Sequence, residues 1–243
     1  MKLDRKSNSP LHAQIYDYLR EGILSQRLKS DETIPSEREL AEKLKVSRMT
    51  VRQAINALRE EGLIYQKQGK GTFVSPAKMD IHTRNLNGFT EEMRKKNLKP
   101  VSKVLRFDVE TATKEVAESL GLNIGEKVYV LERLRLADEI PMSVETTVLP
   151  FDRFPGLDNY DFGKHSLYQA VSEDYGVKLH SAAEDLEASI ADQETSELLK
   201  AETGSAILIV YRTVFAEENR PVEYTKSIYR ADRYRASFFL VKK

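Results

Sequence analysis

The sequence predicts an α+β protein of two domains, a small helical domain closed by a β-hairpin and a larger domain built around an antiparallel sheet. Three observations predict it. At 243 residues the chain exceeds one small module and fits two domains, on a prior of roughly 100–200 residues each. Apolar residues recur at helical spacing in the first 60 or so positions, whereas further on β-rich runs alternate with short helical segments. The formal net charge is zero, yet residues 1–76 carry 14 Lys+Arg against 10 Asp+Glu and residues 77–243 carry 24 against 28. The basic excess therefore sits in the first domain, as expected if only that part meets phosphates.

Composition narrows the function classes. Apolar residues at 40% are enough for real cores, and 31% charged residues is high without being the composition of a disordered chain. Cysteine is absent, which excludes disulfides, thiolate metal sites and cysteine nucleophiles and suits a reducing cytoplasm. The N-terminus has no long apolar segment, and no apolar run approaches the roughly 18 residues of a membrane span. A cytoplasmic protein without membrane association is the expectation.

In the first domain, Leu11, Ile15, Leu19 and Ile23 recur at helical spacing after Pro10, giving a first helix to about Gln26. Thr33–Pro35 is extended. Ser36 with Glu39 forms a capping box that opens a second helix running to about Leu44. A short turn at Lys45 and Val46 leads to Ser47, the N-cap of a third helix that stops at Gly62. On that third helix Val51, Ala54, Ile55 and Leu58 make a core stripe, while Arg48, Arg52, Gln53, Asn56 and Arg59 take the other side. Two helices joined by so short a turn form a helix-turn-helix, whose second helix presents its N-terminal residues to base edges. Leu63–Tyr65 and Thr72–Val74 then read as two strands around a glycine-bearing turn from Gln66 to Gly71, a wing. On side-chain chemistry Arg48 and Arg52 are the base readers, and Lys67 and Lys70 at the wing tip favour phosphates.

The run PSERELAEKLKVSRMTVRQAINALREEGLIYQKQGKGTFV resembles the winged helix of the GntR family of bacterial transcription regulators, over essentially all of residues 8–76. The resemblance implies operator contacts from Arg38, Ser47, Arg48, Thr50, Arg52 and Gly69. Of these, Ser47 and Thr50 favour phosphates and Arg38 suits either task.

Residues 1–76 are thus read as the DNA-binding domain, residues 77–87 as a polar linker and residues 88–243 as the second domain. Helices are expected at Phe89–Asn97, Thr113–Leu120, Ser166–Tyr175 and Asp192–Lys200, and strands at Ser102–Val109, Val128–Leu136, Met142–Leu149, Lys178–Ser189, Ala206–Ala216, Val222–Tyr229 and Arg235–Leu240. Hairpins at Asp138-Glu139 and Glu217-Glu218-Asn219 make the sheet antiparallel. A weak repeat with a shift of 79 sets Thr113 on Asp192, Gly125 on Gly204 and Arg133 on Arg212, which suggests two equivalent halves around a shared cleft.

The four histidines are scattered, and neither a nucleophile-elbow pattern nor a phosphate-loop glycine pattern nor a metal-spaced cluster occurs. No catalytic residue, metal or cofactor is expected. Arg133 and Arg135, at i and i+2 on one face of a strand, instead make a natural site for a phosphate or carboxylate, with Glu145 and Glu223 able to accept hydroxyl or amine hydrogens. The segments NGFTEEM, VLERLRLADEIPMSVET and VEYTKSIYRADRY are similar to the UTRA effector domain of the HutC subfamily of GntR regulators, a chorismate-lyase-like fold, over about residues 80–240. Regulators of N-acetylglucosamine use resemble it most. That resemblance implies that Phe89, Thr90, Arg133, Arg135, Ser166 and Tyr168 hold a phosphate and that Glu145, Glu223 and Tyr229 hold an amino sugar. Gly88 stands where relatives can carry a hydroxyl residue. The function so implied is a homodimeric regulator, a repressor, of a palindromic double-stranded operator, with glucosamine-6-phosphate or N-acetylglucosamine-6-phosphate as effector. The alternatives are another sugar phosphate, an organic acid, or a chorismate-lyase-like enzyme fused to a DNA-binding head.

Overall fold

The computed structural model describes residues 3–67, 69–76, 78–81 and 86–238, and the chain divides into two compact units, Met1–Lys78 and Met79–Lys243. Gln68 of the wing turn, Ala77 and residues 82–85 of the expected linker, and Leu240 at the end of the last expected strand lie outside the described residues.

In the first unit, α1 (Leu11–Leu24), β1 (Thr33–Ile34), α2 (Glu37–Leu44), α3 (Arg48–Glu60), β2 (Ile64–Lys67) and β3 (Gly71–Val74) follow in order. The capping box forms as its spacing requires: Ser36 Oγ accepts from the Glu39 amide at 3.2 Å, and Glu39 accepts from the Ser36 amide at 2.8 Å. Ser47 Oγ accepts from the Thr50 amide at 3.1 Å, which starts α3 with its axis fixed relative to the turn. Val51, Ala54, Ile55 and Leu58 are all buried, packed with Ile15 and Leu19 of α1 and Leu40 and Ala41 of α2. The stripe thus does what its 3.6-residue period demands. β1 adds a third strand to the expected hairpin, giving the order β1-β3-β2.

The second unit contains β4 (Met79–Asp80), α4 (Phe89–Lys95), β5 (Pro100–Thr111), α5 (Lys114–Leu120), β6 (Lys127–Ala137), β7 (Ile140–Pro150), α6 (Leu167–Glu173), β8 (Leu179–Ile190), α7 (Gln193–Leu199), β9 (Ala206–Ala216), β10 (Pro221–Arg230) and β11 (Tyr234–Arg235). Six of the strands form one antiparallel sheet in the order β5-β6-β7-β10-β9-β8. Its two halves repeat strand, helix, strand, strand and meet at β7–β10. The repeat is carried by matched details: Thr113 and Asp192 both cap the following helix, and Gly125 and Gly204 both adopt positive φ, at 88° and 81°.

Two expectations are corrected here. Of the strand expected at Arg235–Leu240 only Arg235 lies in a strand among the described residues, in β11, which is outside the six-stranded sheet. Met79–Ile81 does not behave as free linker, because β4 pairs in parallel with β11. The Met79 amide donates to Arg233 O at 2.7 Å, the Ile81 amide to Arg235 O at 2.9 Å, and Ile81 is buried. Asp80 accepts from Arg235 at 2.8 Å and from Ser237 at 2.6 Å. Apolar residues flanking one aspartate give this stretch a packed side and a bridged side, which a two-residue strand is too short to announce by alternation.

Candidate functional site

The pleat of the sheet decides what gathers on it. Arg133 and Arg135 alternate onto one face of β6; the register of the sheet sets Glu145 of β7 opposite Arg133, and Thr225 of β10 opposite Arg212 of β9. Above that face lie the start of α4 and the start of α6. They enclose a small polar cavity of about 50 Å³. All nine residues singled out in this domain line it: Phe89 and Thr90 from α4, Arg133, Arg135 and Glu145 from the first half of the sheet, Ser166 and Tyr168 at α6, and Glu223 and Tyr229 from β10.

Arg133 is 1% exposed, so its charge is held out of water and must be paired. Glu145 does this, accepting from Arg133 and, at 2.6 Å, from Arg135, whose other guanidinium nitrogen donates to Ser102 Oγ at 2.6 Å. The Phe89 ring lies 5.3 Å under the Arg135 guanidinium and fixes its plane. One carboxylate cannot satisfy two forks. Nε and Nη1 of Arg133 and Nε of Arg135 are buried without a hydrogen-bond partner.

The titrations follow from this packing. Burial works against the Glu145 carboxylate, but Arg135 and Arg133 outweigh it and hold its pKa at about 2. Burial, with Arg135 alongside, pulls Arg133 down to about 10 against the opposing pull of Glu145, so it stays charged at neutral pH. Burial pushes Glu223 above the ordinary carboxylate range; the Thr225 hydrogen bond opposes this and the nearby Glu145 adds to it. Glu223 accepts from Thr225 Oγ1 at 2.7 Å and from the Tyr168 hydroxyl at 3.3 Å. Tyr229 is pushed up to about 12 by burial and serves as a neutral phenol.

Several lining residues escaped the sequence reading. Arg212, ion-paired with Glu184 of β8, also faces the cavity; the shift of 79 that maps it onto Arg133 was the signal. Thr225 and Ser227 share the β10 face with Glu223 and Tyr229 at a period of two, and were findable that way. Ile81 and Tyr234 reach the cavity because β4 and β11 pair beneath it, which no local pattern signals.

In the first unit the eight chosen residues fall on α2, on α3 and its cap, at the end of β2 and in the wing turn. Arg38 is ion-paired to Glu42 at 3.0 Å, and Arg52 of α3 to Glu37 of α2 at 3.0 Å. No hydrogen bond or ion pair holds the exposed Arg48 side chain among the described residues. The hydroxyls of Ser47 and Thr50 lie 2.8 Å apart at the cap of α3. Lys67 sits 5.4 Å from the Tyr65 ring and 5.6 Å from Phe73, while Gly69, at φ +71°, and the exposed Lys70 form the tip.

Comparison with known proteins bears on both units. Residues 11–74 match the model of bacterial regulatory proteins of the gntR family, and residues 95–235 match the UTRA domain. The HTH-type transcriptional repressor NagR of Bacillus subtilis (strain 168) is 35% identical over 96% of this chain and 96% of its own. The mannosyl-D-glycerate transport/metabolism system repressor MngR of Escherichia coli (strain K12) is 27% identical over 97% and 98%. Among solved structures, PhnF from Mycobacterium smegmatis superposes with a TM-score of 0.67 at 26% identity, covering 94% of this chain and 100% of that one.

Proposed function

The chain belongs to the gntR family of bacterial transcription regulators, with a UTRA domain as its second unit, and from that premise we propose that it is a cytoplasmic, homodimeric repressor whose operator affinity is set by a phosphorylated amino sugar. Its membership places it among regulators rather than enzymes, which removes the chorismate-lyase-like alternative.

The observation that carries the effector reading is the set of buried guanidinium N–H groups without partners on the cavity wall. Leaving such donors unpaired costs on the order of 1–3 kcal/mol each, which favours an acceptor-rich occupant. A phosphate has the oxygens and the charge for Arg133 and Arg135, which share the single carboxylate of Glu145. Glu223, Tyr229, Thr225 and Ser227 then face the polar end of a sugar, as acceptors and donors spaced along one strand face. Glucosamine-6-phosphate and N-acetylglucosamine-6-phosphate fit that division. Thermal-shift measurements with these two, with their unphosphorylated sugars and with inorganic phosphate test it. The phosphorylated sugars are expected to raise the melting temperature most, and equal shifts from the free sugars would remove the phosphate assignment.

Gly88 precedes α4 without a side-chain cap, and a Cβ there would meet the Tyr168 ring at 3.5 Å, an ordinary contact. Gly88→Ser therefore fits, and its hydroxyl is expected to tighten phosphate-sugar binding roughly twofold to tenfold, the net worth of one hydrogen bond. Calorimetric titration measures it.

On the DNA side, we assign base contacts to Arg48 and Arg52 and backbone contacts to Arg38, Ser47, Thr50, Lys67, Gly69 and Lys70, with two copies reading the half-sites of a near-palindrome. Arg52 reaches bases only after, or while, its pair with Glu37 is rearranged. Glu37→Gln is accordingly expected to strengthen binding to every duplex several-fold and to narrow the gap between specific and scrambled DNA, read by salt titration of both. An unchanged gap would mean that Glu37 does not position Arg52.

The pairing of β4 with β11 gives the effector a route to the first unit. Ile81 and Tyr234 line the cavity, and β4 starts at the first residue of the second unit. A ligand that binds more tightly when these strands hold one arrangement shifts the population of that arrangement and, through the chain leaving β4, the half-site spacing.

A further inference from the structure

Within the first unit, two large apolar side chains are strongly exposed among the described residues, Leu24 and Met49, each 59% accessible. Leu24 closes α1 at its last residue. Met49 is different, for it sits in the first turn of α3, the turn that presents base-reading groups in a helix-turn-helix.

The helical period places it. Val51, Ala54, Ile55 and Leu58 face the core, and at about 100° per residue Met49, Gln53 and Asn56 fall on the opposite side, at i, i+4 and i+7. Arg48 and Arg52 lie to one flank of that stripe. Met49 is therefore further toward the outer surface than either arginine, and the sequence reading, which looked for hydrogen-bonding side chains, passed over it. Its immediate neighbours Arg48, Arg52 and Gln53 are polar and exposed, so it forms no apolar patch of the kind that docks a protein.

The major-groove edge of a base pair offers one apolar group, the C5 methyl of thymine. A long, unbranched, polarisable thioether on the outward stripe of the reading helix has the reach and softness to cover it. We propose that Met49 is a specificity-determining residue that reads a thymine methyl in each operator half-site, next to the positions read by Arg48 and Arg52. The inference rests on the assignment of α3 as the groove-reading helix. It adds an apolar element of readout that no arginine supplies, since guanidiniums select guanine through N7 and O6.

The test uses the full-length protein and duplexes enriched by it from a randomised DNA library. In the enriched duplex each thymine is replaced in turn by deoxyuridine, which deletes the C5 methyl and leaves every base-pairing group. The wild-type protein is expected to lose roughly fourfold in affinity per half-site at one symmetric pair of thymines, the equivalent of exposing one buried methyl group. Met49→Ala is expected to be insensitive to deoxyuridine at that pair while keeping its other base preferences, and Met49→Leu, similar in volume and apolar, to retain the sensitivity. Because Met49 is exposed, melting temperatures of the variants are expected to match the wild type. Indifference of the wild type to every deoxyuridine overturns the proposal, as does a sensitivity that persists unchanged in Met49→Ala. A library from which nothing is enriched overturns the assignment of α3 itself, an outcome distinguishable from the other two.

Discussion

Arg133→Ala is expected to abolish the response to a phosphorylated sugar while sparing operator binding. The residue is 1% exposed, lines the cavity, shares the Glu145 carboxylate with Arg135, and carries two buried donors without a partner. Removing one partner of a buried, charge-assisted contact costs on the order of 2–5 kcal/mol, hence a loss of about thirtyfold or more in effector affinity. The side chain is also part of the packing between sheet and helices, so alanine lowers the melting temperature as other large-to-small changes do. Arg133→Lys separates the two effects. It keeps the charge and most of the volume but loses the planar fork, and is expected to fold with near-normal stability and respond weakly. Calorimetry of each variant with N-acetylglucosamine-6-phosphate reads the result, and a wild-type isotherm from either would place the phosphate elsewhere.

The second large effect is expected at Arg48. It is exposed, lies in the first turn of α3 and has no ion pair to surrender, unlike Arg38 and Arg52. Arg48→Ala should leave the melting temperature unchanged and cost roughly 1–3 kcal/mol at each half-site on specific DNA. Its effect on scrambled duplexes should be small. Equal losses on both would make Arg48 a phosphate contact. Lys70→Ala supplies the contrast, since a wing-tip lysine that meets the backbone weakens all sequences alike.

Where local chemistry was sufficient, the sequence was legible. Ser36 with Glu39 and Ser47 with Thr50 are capping patterns complete within four residues, and the stripe of Val51, Ala54, Ile55 and Leu58 fixes its own burial. The i, i+2 spacing of Arg133 and Arg135 placed them on one sheet face before any partner was known, and the pleat then brought Glu145 opposite. What stayed hidden depends on partners remote in the chain. Asp80 meets Arg235 across 155 positions, and neither two-residue strand carries a periodicity of its own. The Arg52–Glu37 pair needs the angle between α2 and α3, which a cap does not encode. Arg212 was hidden for another reason: the repeat pointed to it, but the chemistry of a repeat position had to be carried from one half to the other.

On the proposed function the two units divide one task, DNA reading by α3 and effector binding in the cavity. The central claim is that filling the cavity changes what the helix binds. Its most direct test is the affinity of the full-length protein for a duplex enriched from a random library, measured with and without saturating N-acetylglucosamine-6-phosphate, and again with N-acetylglucosamine. The account predicts a change of about fivefold to 150-fold with the phosphorylated sugar, the usual range of coupling between linked sites, and none with the free sugar. An operator affinity that stays constant while the phosphorylated sugar binds and raises the melting temperature would contradict it.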